Sequence, residues 1–446
     1  MDKIKKLIQN YMGEERIPIK AWLLDIIVLL NIIPVIQANL FTKTKGNSSS
    51  QLYVGITFVV EILLICWYFI KYKIKFNKKT IKYFFAYCIL IVILLITSVI
   101  MYFKGIWNAK DFLDIGSKFC TIVLLIVAFT SAKIDSKELK KFYQFLIVLG
   151  IIACVYNFIF YFNEIIHLWD VKNSYTTHIK SFFGNRNQFA LFLMMVSMGN
   201  LFILINEENK KNKILYALSL VLMLINMFFT MSRTALGGTV IFILISILSI
   251  VKKKQKIMIL VTAFLLVLAI AIGIVLFSPE LAEKIARLFI RPDTILTGGG
   301  RTKIWQEGVN IVLRENPISG VGRFTGIDQL NIYLNELGLR TTQFHSVYVE
   351  TFISMGLLGI IALIYLIVKS VRGLLKATLP KTEKNIVLCM VITYLIIGAI
   401  ESCRFSMGYV DTMFVLMFFS IPILLIGRSN ANKPKDIKSS EQEIQK

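Results

Sequence analysis

The sequence predicts an all-α integral membrane protein with about twelve transmembrane helices and one long extracytoplasmic loop. Of its 446 residues, 56% are hydrophobic, and the mean hydropathy is +0.69. Soluble globular domains have an apolar share of roughly 45–50%, so this composition indicates a chain embedded in a membrane. The apolar residues also occur in runs of about 20, the length that crosses a bilayer as a helix. One long polar segment interrupts these runs.

Each of these apolar runs predicts one transmembrane helix. The predicted spans are residues 21–41, 52–70, 83–103, 112–132, 142–162, 187–205, 213–231, 234–251, 257–277, 346–368, 385–403 and 408–426. They divide the chain into four parts. These are an N-terminal transmembrane bundle of about nine spans over residues 1–277, an extracytoplasmic arginine-rich loop over 278–345, C-terminal spans over 346–427, and a cytoplasmic disordered tail over 428–446.

The distribution of basic residues predicts the orientation of the chain. A net charge of +23 could indicate a nucleic-acid partner, but the lysines and arginines lie mostly in short loops between spans, so we expect contacts with membrane lipids and no nucleic acid. If the N-terminus is cytoplasmic, the inside segments carry 32 Lys and Arg residues and the outside segments carry 17. Positive residues favour the cytoplasmic side, so both termini are predicted to be cytoplasmic.

Cysteine and phosphate-loop patterns give no sign of a metal or cofactor. The six cysteines lie within or at the ends of predicted spans, without CxxC spacing and without a cluster with histidine. The sequence also lacks a GxxxxGK[ST] phosphate loop and an Asp-x-Asp signature. We therefore expect no disulfide framework, no metal site and no cofactor.

The polar segment that begins at Thr297 holds the first candidate site residues. A glycine-rich turn precedes Arg301, which opens a predicted amphipathic helix that ends before Pro317. Its apolar positions are expected on one face: Ile304, Trp305, Val309, Val312 and Leu313. At the far end of the segment, His345 stands at the mouth of the next apolar span, where it can reach water. A basic segment and a histidine are thus expected to face each other at a membrane interface.

Three further candidate site residues lie outside this segment. Arg233 lies between two apolar spans with almost no loop, where an unpaired guanidinium is costly, so it needs an anionic partner. That partner is either a protein carboxylate or a phosphate head group, and an ordinary interface arginine is the alternative. Arg186 and Asn187 open another span, where backbone N–H groups and the helix dipole favour an anion. A residue that snorkels to the interface is the alternative there.

The remaining arginines of the loop, including Arg314 and Arg323, are candidates for binding phosphate groups. The loop carries six arginines against two lysines, and the planar guanidinium suits bidentate contacts better than an ammonium does. Anchoring to lipid head groups is the alternative. Residues 279–291 are expected to form an interfacial helix. His167 and His178 lie in another outward loop and are expected to have no catalytic role.

Three carboxylates near the last spans could orient His345. Glu350 lies five residues beyond His345, and Asp411 enters the last span. Glu401 and Arg404 are three apart and are expected to pair with each other on the helix surface. The sequence does not decide which carboxylate reaches the histidine.

Three stretches resemble the O-antigen ligase and polysaccharide polymerase superfamily. The first combines Gly300-Arg301, a Pro-x-x-Gly-x-Gly turn over 317–322, and His345 leading into a helix with Glu350 and a Gly-x-x-Gly motif over 356–359. The others are Gly-Asn-Arg-Asn over 184–187 and Met-Ser-Arg-Thr-Ala over 231–235. In that family an Asn usually follows the His, whereas Ser346 follows it here. The order and membrane placement of the three stretches also agree with the family.

This resemblance implies an architecture similar to GT-C glycosyltransferases and a metal-independent membrane enzyme. The implied donor is an oligosaccharide on undecaprenyl diphosphate, with a flippase and a chain-length regulator as further partners. Arg233 and Arg301 would stabilise the departing diphosphate, with Arg186, Asn187, Arg314 and Arg323 as further substrate-binding residues. His345 would act as the general base, because an imidazole titrates near neutral pH.

Within the resembled superfamily, the expected activity is polymerisation of repeat units into a capsule, an exopolysaccharide or an O-antigen. The His345-Ser346 pair and the lack of an appended domain favour a polymerase over a ligase that transfers glycan to another acceptor. A lipid-linked oligosaccharide transporter is the alternative from a different class. Transporters usually show paired halves with broken helices, and the sequence shows no such symmetry.

Overall fold

The computed structural model describes most of the chain. The described residues are 12–13, 17–40, 47–72, 76–77, 81–130, 132–168, 179–251, 300–336, 340–377, 379–405 and 408–425, with single positions at 255, 258, 262, 278 and 283. The predicted span at 257–277, the predicted interfacial helix at 279–291 and His178 lie outside the described residues apart from those single positions.

Helices make up nearly all of the described chain. In the first half they are α1 Ala21–Leu40, α2 Asn47–Lys71, α3 Ile81–Phe103, α4 Asp111–Thr130, α5 Ser136–Phe160, α6 Phe162–Ile166, α7 Arg186–Asn206, α8 Lys210–Phe229 and α9 Arg233–Ile250. In the second half they are α10 Arg301–Glu315, α11 Arg323–Glu336, α12 Val347–Lys376, α13 Lys381–Gly398, α14 Tyr409–Phe414 and α15 Ile421–Leu424, with a π-helix Val415–Ser420 joining the last two.

Four two-residue strands complete the described secondary structure. They are β1 Met12–Gly13, β2 Ile17–Pro18, β3 Phe76–Asn77 and β4 Ala132–Lys133. β1 pairs in parallel with β3, and β2 pairs in parallel with β4. These short pairs join connecting segments of the helices and form no larger sheet among the described residues.

The predicted spans, apart from 257–277, all coincide with helices. Within the described residues, five helices are long and apolar enough to cross a membrane: α5, α7, α8, α9 and α12. Three shorter apolar helical stretches lie at Ala21–Ile36, Cys88–Phe103 and Val410–Leu424. The chain is therefore a helical, multi-pass membrane protein by length and composition, and the count of twelve spans stays a prediction.

Helix α7 lies at the centre of the main core. Its residues from Phe189 to Ile203 are buried, and they pack with residues of α5, α8, α9 and α13 in one hydrophobic cluster. Close packing needs small residues at two crossings: a Cβ on Gly199 would lie 2.7 Å from Tyr143, and one on Gly238 would lie 2.9 Å from Met194. This packing fixes the N-terminus of α7 relative to the starts of its neighbours.

Contacts at the two ends of the bundle show how the helices run. Asn385, near the start of α13, donates to Ser249 O at 3.1 Å near the end of α9. Ile397, near the end of α13, lies against Gly238 near the start of α9. The two helices are therefore antiparallel, so the start of α9 lies at the same end of the bundle as the residues that follow α13. We call this the site end.

The opposite end of the bundle is held by ion pairs and hydrogen bonds between predicted cytoplasmic segments. Lys140 lies 2.8 Å from Glu207, and Ser136 donates to Glu383 at 2.8 Å. Glu138 accepts a hydrogen bond from the Ala21 backbone at 2.9 Å. These contacts bring the start of α5, the end of α7 and the start of α13 together at this end of the bundle.

The polar segment forms two helices that dock against the first part of α12. A small core joins α10, α11, α12 and α3; its buried members are Met101, Ile311, Val312, Val321, Ile327, Leu330, Leu334, Phe344 and Ile353. Lys104, just after α3, donates to Glu315 Oε2 at 3.0 Å. Hydrogen bonding from Arg314, followed by that from Lys104, holds the pKa of Glu315 below its usual value. Residues 301–336 are therefore packed against the membrane helices.

Helix α12 is broken at Gly356, and the break is filled by the turn at 317–321. Gly356 adopts φ 60° and ψ −153° inside the helix. The freed backbone groups bond to the turn: Leu357 N donates to Pro317 O at 3.0 Å, Leu358 N to Ile318 O at 3.1 Å, and Val321 N to Ile353 O at 2.9 Å. Non-helical backbone at membrane depth is tolerated when protein buries it in this way.

One sequence-based prediction about this segment is wrong. Leu313 was expected on the buried face of α10, but it is 57% exposed, while Gly308, Ile311 and Val312 are buried. Nine residues separate Leu313 from Ile304, which at 3.6 residues per turn places them on opposite sides. The stretch 323–336 forms α11, with Ile327, Leu330 and Leu334 buried at helical spacing.

Candidate functional site

Four helices of the described chain begin with an arginine that the sequence had marked as a candidate. Arg186 opens α7, Arg233 opens α9, Arg301 opens α10 and Arg323 opens α11. The N-terminus of a helix carries partial positive charge, so a cation there is normally unfavourable. No acidic residue lies in the first turn of any of the four helices. Positive charge is therefore concentrated at these starts, which suits an anionic ligand.

His345 is held in an unusual backbone conformation just before α12. Its φ of 55° lies in the left-handed region, which is uncommon for residues other than glycine. The neighbouring Phe344 is fully buried, and its carbonyl accepts a hydrogen bond from Trp305 Nε1 at 2.6 Å. Burial and this bond hold the strained turn in place. The imidazole is 23% exposed, so it is both fixed and accessible.

The Glu401 carboxylate brings His345 and Arg301 together. Its Oε1 lies 3.9 Å from His345 Nδ1, and its Oε2 lies 3.9 Å from Arg301 Nη2. The Glu401 side chain is only 5% exposed. Arg301 also donates to Ile400 O, and Gln343 Nε2 lies 3.2 Å from His345 Nδ1. Glu401 is thus the carboxylate that reaches the histidine.

A second group of charges lies beside the first. Arg323 Nε donates to Glu350 Oε1 at 2.6 Å, and Arg404 lies 3.8 Å from the same oxygen. Arg404 also lies 2.7 Å from Asp411. The local spacing had predicted that Arg404 would pair with Glu401, but α13 ends at Gly398, so helical spacing does not apply there. Glu350 and Asp411 are held by arginines.

Asp111 already occupies the start of α11. Its Oδ1 accepts from Phe324 N at 2.7 Å, and its Oδ2 accepts from Thr325 N at 3.1 Å and from Thr325 Oγ1 at 2.6 Å. This carboxylate serves as the N-cap of α11 from another helix. Because Glu350 also neutralises Arg323, this start is not open to an external anion, and the arrangement indicates a structural role for Arg323.

The starts of α9 and α10 differ from that of α11. Their N-cap residues, Ser232 and Gly300, make no side-chain capping hydrogen bond. Arg233 is exposed, and it follows Met231, whose φ of 54° is again left-handed. Arg301 reaches Ile400, and α9 begins at the same end of the antiparallel α9–α13 pair. Arg233 and Arg301 therefore lie at the site end, each on a helix start without a side-chain cap.

A cleft opens between the start of α7 and the residues that follow α13. Asn187 lines it, as do Gln343, Glu401 and Arg404. Arg186, adjacent to Asn187, is half-buried at the same helix start. The structure thus places the predicted Asn187 in a cleft that is also lined by Glu401, the carboxylate beside His345. Gln343, Glu401 and the neighbouring Gln188 complete the surroundings, which sequence spacing alone could not assemble.

Arg314, a predicted substrate-binding residue, and His167, which was expected to have no catalytic role, both lie away from the site. Arg314 is thirteen residues along α10 from Arg301, about 20 Å at 1.5 Å per residue, and it pairs with Glu315 at 2.9 Å. The length of α10 therefore separates Arg314 from Arg301. His167 is exposed at the end of α6, where its Nδ1 lies 2.8 Å from Asn163 O.

Ser346 has a structural role next to His345. Its Oγ accepts a hydrogen bond from Val349 N at 3.4 Å and so caps α12. Asn is an equally good N-cap residue. The departure from the His-Asn pair of the resembled family therefore preserves the cap.

The fold and the site together define a multi-pass helical membrane protein with a histidine, a carboxylate and two arginine-headed helices at one end of its bundle. Residues 218–364 match the family model described as O-antigen ligase. The match includes Arg233, Arg301 and His345, whereas Asn187 and Glu401 lie outside it. No curated protein matches the chain.

Proposed function

We propose that this protein is a polymerase that joins undecaprenyl-diphosphate-linked oligosaccharide repeat units into a surface polysaccharide at the outer face of the cytoplasmic membrane. The observation that carries the proposal is the convergence of His345 and Arg301 on the Glu401 carboxylate. A general base and a cation that are held this close together can act in one substitution reaction. The base accepts the proton of the attacking hydroxyl, and the cation stabilises the leaving group. The match to the O-antigen ligase family supports a lipid-linked donor.

The proposed reaction begins with the acceptor hydroxyl. Its oxygen attacks the anomeric carbon of the donor sugar while the His345 imidazole takes the hydroxyl proton. The Glu401 carboxylate, 3.9 Å from Nδ1, stabilises the imidazolium that forms. A new C–O bond joins acceptor and donor, and the bond from the anomeric carbon to the diphosphate oxygen breaks. Attack opposite the leaving group inverts the anomeric centre.

Arg233 and Arg301 act on the leaving group. Undecaprenyl diphosphate departs with the bonding electrons, and its negative charge grows in the transition state. Two guanidinium groups and two helix N-termini stabilise that charge without reorganising. All of these residues lie at one end of the bundle, so donor, base and leaving-group site can be occupied together.

The break in α12 bears on the alternative of a transporter. Broken helices in transporters expose backbone groups to an ion or substrate path. Here the groups freed at Gly356 are bonded to Pro317, Ile318 and Val321. The turn at 317–321 therefore fills the break in α12. A filled break is consistent with a role in positioning the polar segment and does not favour transport.

Substituting Lys for Arg301 or Arg233 should lower transfer roughly 10- to 100-fold, because lysine keeps the charge but loses the bidentate fork. The rate of release of undecaprenyl diphosphate by purified variants is the measurement. Arg314→Lys is the matched control, since this arginine lies on the same helix as Arg301 but far from the site, and it should behave as wild type. Wild-type rates in both site variants would mean that these arginines only anchor the helices.

Surface polysaccharide from a strain lacking the gene tests the proposed activity. Polymerase and ligase share the donor and the base and differ in the acceptor, so the product distinguishes them. A single repeat unit on the gel is the result that the proposal predicts. Full-length polymer left on the lipid carrier would instead show a ligase.

The orientation is tested by cysteine labelling. Lys303→Cys, exposed on α10, should react with an impermeant thiol reagent added outside intact cells. Asn212→Cys, exposed at the opposite end of the bundle, should react only after the membrane is opened. The reverse pattern would place the site on the cytoplasmic side, where the proposed donor is not presented.

A further inference from the structure

The cleft beside His345 has a different chemical character from the arginine-headed helix starts. Amide side chains of Asn187, Gln188 and Gln343 line it together with the carboxylates of Glu401 and Asp411. Amides offer both donors and acceptors, and carboxylates offer strong acceptors. This combination matches hydroxyl groups, each of which can donate and accept.

The charge in the cleft argues against a phosphate ligand. Arg404 is the only cation among the described residues that line it. That guanidinium lies 2.7 Å from Asp411 and 3.8 Å from Glu350, so its charge is already balanced. The cleft therefore suits an uncharged polar ligand.

The cleft also lies next to the proposed base. Gln343 and Glu401 both line it, and both approach Nδ1 of His345, at 3.2 Å and 3.9 Å.

We propose that this cleft is the acceptor subsite and binds a neutral sugar of the acceptor glycan through its hydroxyl groups. The diphosphate of the donor is bound elsewhere, at Arg233 and Arg301. The inference rests on the proposed function, since it names where one substrate of that reaction binds. It also reassigns Asn187 from phosphate contact to sugar recognition.

Binding measurements with two probes test the subsite. The probes are the repeat-unit oligosaccharide released from its carrier and undecaprenyl diphosphate, each titrated against full-length protein in nanodiscs. Asn187→Ala and Gln188→Ala should each weaken the oligosaccharide about five- to tenfold, the effect of one lost hydrogen bond, with undecaprenyl diphosphate unchanged. Asn212→Ala, an exposed amide in the first turn of α8, is the matched control and should change neither.

Each outcome distinguishes a sugar-binding acceptor subsite from a diphosphate-binding site. Unchanged oligosaccharide binding in both folded variants would overturn the proposal, and so would selective weakening of undecaprenyl diphosphate. Melting temperatures show whether each variant is folded, and Gln188→Ala decides the matter if Asn187→Ala is not. Failure of the proposed function gives a separate result: wild-type protein then releases no undecaprenyl diphosphate from the lipid-linked donor, whatever the dissociation constants of the two probes.

Discussion

Purified His345→Ala protein should transfer glycan about 10²- to 10⁴-fold more slowly than wild type, the usual cost of removing a positioned base. The acceptor hydroxyl must lose a proton as the new bond forms, and His345 is fixed beside Glu401 to accept it. In cells this loss should appear as absence of polymer. Binding of undecaprenyl diphosphate should persist, because that role belongs to the arginines.

His167→Ala is the matched control for this prediction. His167 is exposed at the end of α6 and contacts the backbone of Asn163, so its removal should leave the rate unchanged. If His345→Ala elongated the donor at the wild-type rate between pH 6 and 8, the base would be another group. Glu401 would then be the first candidate, since Glu350 and Asp411 are held by arginines.

Gly356→Ala should destabilise the protein by about 3 kcal/mol or more. Its φ of 60° and ψ of −153° lie in a region almost restricted to glycine. A Cβ there would lie 2.5 Å from backbone atoms of Gly320 and Ile318, and backbone cannot rotate away as a side chain can. The turn at 317–321 should leave the break, lowering both the melting temperature and the yield of polymer.

Gly237→Ala is the control for this substitution. Gly237 lies within α9, and a Cβ there would meet nothing within 4 Å. Alanine in a helix is favoured over glycine by roughly 0.5–1 kcal/mol, so the melting temperature should hold or rise. A Gly356→Ala protein with the wild-type melting temperature would show that the polar segment is not docked at the break.

The helices were largely predictable because membrane spans follow a simple physical rule. A run of about 20 apolar residues must satisfy its backbone hydrogen bonds internally, and a helix does so. The predicted span 187–205 and the observed α7 Arg186–Asn206 differ by one residue at each end. The buried ion pair between Asp114 and Lys118 was also predictable, since the two residues are four apart on one helix.

The pairing of charges between distant segments was not predictable. Arg323 and Glu350 are 27 residues apart, and Asp111 caps a helix that begins more than 200 residues later. Helical spacing gives only local partners, and it gave the wrong partner for Arg404 because residues 401–404 are not helical. The burial of Gly308 likewise depends on a distant residue. Ile353 packs so closely against it that a Cβ added at Gly308 would lie 2.6 Å from the Ile353 side chain.

The account as a whole is tested most directly with purified wild-type protein and undecaprenyl-diphosphate-linked repeat units as the only substrate. The measurement compares the undecaprenyl diphosphate released with the glycosidic bonds formed. The account predicts a ladder of lengthening glycans on the carrier, with one carrier released for every bond. Release of no carrier, or movement of the intact donor across the bilayer without bond formation, would contradict it.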